Sequence, residues 1–372
     1  MCYLSGKGKR NHARMTAQLG KGVPMNGQLS RRQFLEFSAA TGAFVLASSQ
    51  GPLWAQERIA IPEAERIIVT VITDNLADAT RPDVKIAKRP AGAVSVLDGA
   101  MHAEHGLAYY VETVVGGQSH VLLFDFGTQI SGVLRNIDLL KLDLRKVEAL
   151  ALSHDHWDHE AALVELMKAK RTDFRQDLPL YIGEEFFVGT YSKRPNGQIQ
   201  TLSVVPRQDI EALGLVKIVE GKTPTPIVPG AYFTGRVERV TDYEVIAPNF
   251  VAKRGDQYVQ EQFLGEQALL LHAKGKGLVI LSACAHRGIV NTLKHAQKIT
   301  GINRIHAIIG GFHLTGAKPE VIAKTVADVK AMNPEYIIPT HCTGFEAITA
   351  FAREMPDQFI LNTAGTKYFI EA

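Results

Sequence analysis

Apolar residues first recur in short β-branched runs and later in alternating strand-like and helix-like blocks. The run Ile67-Ile68-Val69-Thr70-Val71-Ile72 predicts a strand over 66–73, stopped by the turn formers Asp74-Asn75. Residues 107–115 and 120–126, separated by Gly116-Gly117-Gln118-Ser119, predict a hairpin. A short helix near 131–140, an apolar strand over 147–152 and a helix over 160–168 follow. After residue 264 the alternation is regular: strands at 268–273 and 277–282, a helix at 289–299, a strand at 306–309, a helix at 319–332 and a strand at 336–339. Strands that pair early and strand-to-helix units later predict a mixed α/β fold with helices covering sheets. Residues 183–264 have weak periodicity and many Pro, Gly and charged positions. They predict an insertion, either a functional lid or surface decoration. Internal repeats and low-complexity tracts are missing from the sequence.

Composition changes this picture little. The 372 residues, 46% hydrophobic and 21% charged, suit a globular protein with a large core. Apolar runs stay shorter than the roughly 18–20 residues a membrane span needs, which predicts no stable membrane insertion. Residues 1–55 carry seven basic residues and one acidic one, so setting them aside turns the net charge of +3 into −3. That balance offers nothing to a nucleic-acid partner.

Within that basic stretch, Ser30-Arg31-Arg32-Gln33-Phe34-Leu35 matches the twin-arginine export signal, followed by a mildly apolar segment to Ser49 and a candidate cleavage site at Leu53-Trp54-Ala55. The organisation expected is a leader over 1–24 ahead of a possible start at Met25, a signal peptide over 25–55 and one folded domain over 56–372. An amphipathic N-terminal helix with two chance arginines is the alternative. The export machinery is then a transient partner and the periplasm the destination; oligomeric state is not legible. Cys284 and Cys342 belong to no spaced cysteine framework, which favours two free, buried thiols, with a disulfide open in an oxidising compartment.

The densest chemistry is Ser153-His154-Asp155-His156-Trp157-Asp158-His159, directly after the strand over 147–152. Three imidazoles and carboxylates this close suit zinc, iron or manganese, whereas protonated and metal-free they would repel one another. A polar loop capping the next helix is the bland alternative. Three later loops each place a histidine just after an apolar strand: His286, His313 and His341. His272, His295 and His306 fall inside predicted elements and are read as non-ligands.

The segment from Ser153 to His159 resembles the H-x-H-x-D-H signature of the metallo-β-lactamase superfamily, a highly specific motif. The resemblance runs from about Ile67 to the C-terminus and implies a four-layer αβ/βα sandwich with a binuclear metal site at one edge of its sheets. It implies His154, His156 and His286 for a first metal, and Asp158, His159 and His341 for a second, with Asp158 also catalytic. Where the family's bridging aspartate is expected, this chain has Gly310-Gly311-Phe312-His313, which makes His313 a further candidate. Asp125 and Asp74 are candidate supports behind the ligands. Asp155 stands where glycine is common. Thr73-Asp74-Asn75, Glu104-His105-Gly106-Leu107, Cys284-Ala285-His286-Arg287-Gly288 and His341-Cys342-Thr343-Gly344 further resemble the subgroup of 7,8-dihydropterin-6-methyl-4-(β-D-ribofuranosyl)aminobenzene 5′-phosphate synthase.

The resemblance implies hydrolysis of a small-molecule substrate by hydroxide formed from water on one or two ions, zinc foremost, with iron or manganese as alternatives. Synthase-like group transfer and a non-catalytic metal or ligand binder are the rival readings. Tyr191, Lys193 and Arg194 would suit an anionic substrate, or are a solvated charged loop.

Overall fold

Strand pairing starts from the hairpin of Ala108–Val115 and Gln118–Phe126, which turns on Gly116 and Gly117 alone, both at positive φ (59° and 76°). Such two-residue turns need left-handed backbone and so favour glycine. Gln118 and Ser119, expected in the loop, instead pair with Val115 and Val114. The computed structural model describes residues 58–90 and 100–372, so the twin-arginine segment and the leader expected before it lie outside the described residues.

Arg66–Thr73 pairs with Ala108–Val115, and Gln118–Phe126 connects through the helix Ile130–Leu139 to the parallel strand Val147–Ala151. Leu178–Gly183 and Val216–Gly221 extend this sheet on one side, and Lys367–Glu371 and Ala87–Lys88 on the other. A second sheet runs in the order Thr225–Val228, Ala231–Phe233, Leu269–Ala273, Gly277–Ser282, Ile305–Gly311, Tyr336–Thr340, and its last three strands are parallel. The sheets face each other across a core that includes Val69, Tyr109, Phe124, Phe233, Leu271 and Ile309. The outer face of the first sheet packs on Ile130–Leu139, Leu163–Ala169 and Arg207–Glu211. The outer face of the second packs on Ile289–Thr300, Pro319–Ala331 and Phe345–Glu354. Helix, sheet, sheet, helix is the four-layer sandwich anticipated.

Two expectations change. The helix expected over 160–168 is two pieces, Trp157–Glu160 and Leu163–Ala169, and the first begins inside the histidine motif. Residues 183–264 are not one insertion, because Val216–Gly221 and Thr225–Val228 are edge strands of the two main sheets and Ala231–Phe233 is the second strand in from the edge. Strands this short and interrupted by Pro and Gly carry little periodicity. The remaining strands, Thr190–Lys193, Ile199–Thr201, Phe250–Arg254 and Gln257–Gln260, form a separate four-stranded antiparallel sheet. It is tied to the histidine motif through Trp157 N donating to Leu202 O (2.8 Å) and Thr190 Oγ1 donating to the Asp155 carboxylate (2.9 Å). Among the described residues no helix is long and apolar enough to cross a membrane.

Candidate metal centre

The strand Val147–Ala151 ends where both sheets open, and the following loop carries His154 and His156 side by side, ring centroids 4.5 Å apart. From the opposite sheet, the loop after Gly277–Ser282 brings His286 to 5.0 Å and 4.7 Å from them. One ring nitrogen from each of the three lies within 4.8 Å of the others. Two donors at about 2.0–2.3 Å from one tetrahedral ion stand roughly 3.3–3.8 Å apart, so these rings need only small shifts to share an ion.

All three are buried. His154 Nε2, His156 Nε2 and both nitrogens of His286 have no hydrogen-bond partner. Buried polar atoms are rarely left so, and a cluster of them fits lone pairs awaiting a cation. Burial, followed by mutual repulsion, holds His154 and His286 well below the usual imidazole range. His156 is pushed down to about 3, chiefly by burial. The rings are therefore neutral, the form that binds metals.

Asp158 and His341 form the adjoining group, with His341 Nε2 3.1 Å from Asp158 Oδ2. His159 Nε2 is 3.8 Å from the same oxygen, and His105 Nε2 3.4 Å. Burial opposes ionisation of Asp158, yet His159 and His341 outweigh it and hold the carboxyl far below its usual range. Burial likewise opposes a charged His341, but its bond to Asp158 together with the charges of Cys342, Asp158 and Asp74 outweighs it and raises it to about 9. His313 does not join the first trio. Its donor atom groups instead with Cys284 and Cys342.

The chain is 32% identical over 272 residues to 7,8-dihydropterin-6-methyl-4-(β-D-ribofuranosyl)-aminobenzene-5′-phosphate synthase of Methanocaldococcus jannaschii, covering 71% of this chain and 89% of that one. This chain belongs to that synthase family. A second, uncharacterised protein of the same organism is 24% identical over 254 residues, covering 68% of this chain and 88% of its own length. Among solved structures, the fold is shared with Tm1679, described as a metal-dependent hydrolase of the β-lactamase superfamily, at a TM-score of 0.62 and 24% identity, covering 81% of this chain and 98% of that one. No family model matches the sequence.

In this metallo-β-lactamase-type site the supports are as specific as the donors. Asp125, at the end of Gln118–Phe126, accepts from Ser153 N and Ser153 Oγ (both 2.8 Å) and faces His159 Nδ1 at 2.7 Å. Asp74 acts through backbone: it accepts from His341 N (3.1 Å), Asn362 Nδ2 (2.8 Å) and Thr340 Oγ1, fixing the loop that carries His341. Glu266 accepts from the amides of His286 (2.7 Å) and Arg287 (2.9 Å). Glu244 accepts from Val290 N (2.8 Å) and Asn291 N (2.9 Å), capping the helix Ile289–Thr300 just after His286.

Asp155 binds Thr190 rather than joining any group of convergent donors, so it anchors the small sheet; burial pushes it up to about 7. It also lines, with His154, Thr190, Glu261 and Glu266, a small cavity of about 20 Å³ beside the centre. That sheet and the segment after it roof the histidines: Phe263 stacks on His286 (centroids 4.0 Å, planes 5° apart), and Phe250 sits 5.2 Å from His286 and 5.7 Å from His156. Tyr191 instead packs on Tyr258 (5.3 Å), and the Arg194 guanidinium meets the Gln200 side chain.

His272, His295 and His306 have partners elsewhere, respectively Ile61 O (3.2 Å), Thr234 O (3.2 Å) and Glu335 Oε2 (2.9 Å), in line with their reading as non-ligands. His105 was missed. It is half exposed and stacks on His341 (4.8 Å) at the rim. Cys284 and Cys342 are two free, buried thiols as expected; Cys284 Sγ lies 3.2 Å from His159 Nε2 and 3.2 Å from Cys342 Sγ, too far apart for a disulfide. Burial raises the Cys284 thiol. At Cys342 burial is outweighed by hydrogen bonds from Cys284 and His313, which hold it well below the usual thiol range.

Proposed function

We propose that this chain is an exported metal-dependent hydrolase of small molecules. The observation that carries the reading is the set of unpartnered, buried nitrogens on His154, His156 and His286. Those three residues would hold one ion, with zinc the best match to an imidazole-rich set, and Asp158 and His341 converge with His105 beside it. A divalent ion there supplies Lewis-acid polarisation of the oxygen under attack and activates water near neutral pH.

The remaining work falls to the chain itself. Asp158 Oδ2, shared by His105, His159 and His341, orients whatever enters beside it. Phe250 and Phe263 exclude bulk water from the histidine side, which strengthens every charge interaction there. The half-exposed His105 marks the open side, so the substrate enters past it and Trp157, whose rings are 5.7 Å apart. Export rests on Ser30-Arg31-Arg32-Gln33-Phe34-Leu35.

The test pairs metal analysis of protein from the periplasmic fraction with a screen of phosphodiester, lactone, thioester and β-lactam substrates. Bound metal and hydrolysis that a chelator abolishes and zinc restores are expected. Stoichiometric metal with no turnover would point to a binder instead. A second reading, group transfer of the synthase type, is favoured by the 32% identical relative. Product formation that requires two organic substrates, with no hydrolysis of either alone, would select it.

A further inference from the structure

Three neighbouring parallel strands of the second sheet each end in a soft or borderline donor. Gly277–Ser282 leads to Cys284, Ile305–Gly311 to His313 and Tyr336–Thr340 to Cys342. The register pairs Ser282 with Gly310 and Gly311 with Thr340, so the three loops leave the sheet together. The two Sγ atoms and a ring nitrogen of His313 lie within 4.8 Å of one another. Cys284 Sγ also falls in a group with His154 and His159 on the same scale, so this set abuts the histidine trio.

The backbone makes room for the sulfur. A Cβ on Gly311 would meet Cys342 Sγ at 2.6 Å and Ala283 O at 2.2 Å, so any larger residue would expel the thiol from its place. His313 is held at a positive φ of 47°, an uncommon conformation for a residue with a side chain. His313 Nδ1 is buried without a hydrogen-bond partner.

We propose that Cys284, His313 and Cys342 form a second, sulfur-bearing metal position beside the histidine trio, taking zinc or ferrous iron in preference to manganese or magnesium. The proposal rests on the metal-enzyme reading above and deepens it. The loop Gly310-Gly311-Phe312-His313 itself holds no carboxylate. Two cations close together need anionic ligands. Asp158 is the carboxylate among the convergent groups, and thiolates supply the missing negative charge. Thiolate ligation also sets the choice of metal, because soft donors select zinc, iron and similar ions over the hard oxygen-seeking ones.

The test uses the full chain, kept reduced under argon, stripped with a chelator and titrated with cobalt(II) alone. Cobalt is a spectroscopic stand-in for zinc, and sulfur ligation gives an intense near-ultraviolet charge-transfer band that nitrogen and oxygen ligands do not. A second cobalt per chain with that band is expected, and Cys284→Ser with Cys342→Ser should abolish the band and lower the stoichiometry to one. Cobalt bound without the band would overturn the sulfur position and leave the histidine site standing. No binding of cobalt at all would overturn both. The unaltered chain gives the decisive spectrum, so the result does not depend on whether the double variant folds.

Discussion

His159 Nδ1 sits 2.7 Å from Asp125 Oδ2 with both side chains fully buried, and the ring's other nitrogen is thereby turned toward Cys284 and Asp158. An imidazole that donates from Nδ1 to a carboxylate presents its Nε2 lone pair, and the contact fixes ring orientation as well as tautomer. Asp125→Asn keeps the volume and removes the charge. We expect its metal affinity to fall about 10–100-fold. Competition titration against a calibrated chelator measures this, and an unchanged affinity would show that Asp125 serves only the Ser153 turn.

His156→Ala removes one of three convergent imidazoles from the trio. Bound metal should drop and metal-dependent turnover should vanish, as read by elemental analysis and by whichever substrate the screen yields. A variant with wild-type metal and turnover would refute the assignment of His154, His156 and His286 to one ion.

Phe263 lies flat on His286 and is buried. Phe263→Ala should cost on the order of 3 kcal/mol, from lost transfer energy and the cavity left behind. It should also quicken exchange of the bound metal by opening the roof. Denaturant unfolding and stopped-flow chelation report the two effects separately. A loss of stability with no change in metal exchange would reduce the ring to a packing element.

Glu160 is pushed up to about 8 by burial, from an ordinary 4.5. Its Oε1 accepts from Val204 N and from Val205 N (3.0 Å), while Oε2 has no partner. Between those two pKa values the unfolded chain has released a proton that the native chain keeps. The native state therefore binds more protons, and this group's contribution falls as pH rises from about 4.5 to about 8. His154, His156 and His286 run the other way at the acid end, since their lowered pKa makes stability rise with pH. Comparison with Glu160→Gln isolates the carboxyl: urea midpoints of the wild type should fall relative to the variant's as pH rises through this window. Parallel curves would contradict a protonated Glu160.

The fold and the first histidines could be read because they follow local rules. Arg66–Thr73 shows β-branched density bounded by Asp74-Asn75, and His154 to His159 sit in one short run. The second sheet's strands were equally plain, since being buried on both faces makes them nearly continuous apolar runs. What escaped was set by distance in space. Cys284 and Cys342 are 58 residues apart, and only the parallel register of their strands brings the sulfurs together. His105 lies in a loop with no periodicity, and its neighbours Asp158 and His341 arrive from other elements. The short strands over 216–233 look like insertion in the sequence because they lie at or next to sheet edges and Pro and Gly interrupt them.

Anomalous scattering at the zinc edge, from crystals of the zinc-loaded chain, tests the central claim most directly. The account predicts a peak within bonding distance of ring nitrogens from His154, His156 and His286, drawn from both sheets onto one ion. A peak that excludes His286, or bound zinc located away from these three rings, would contradict it.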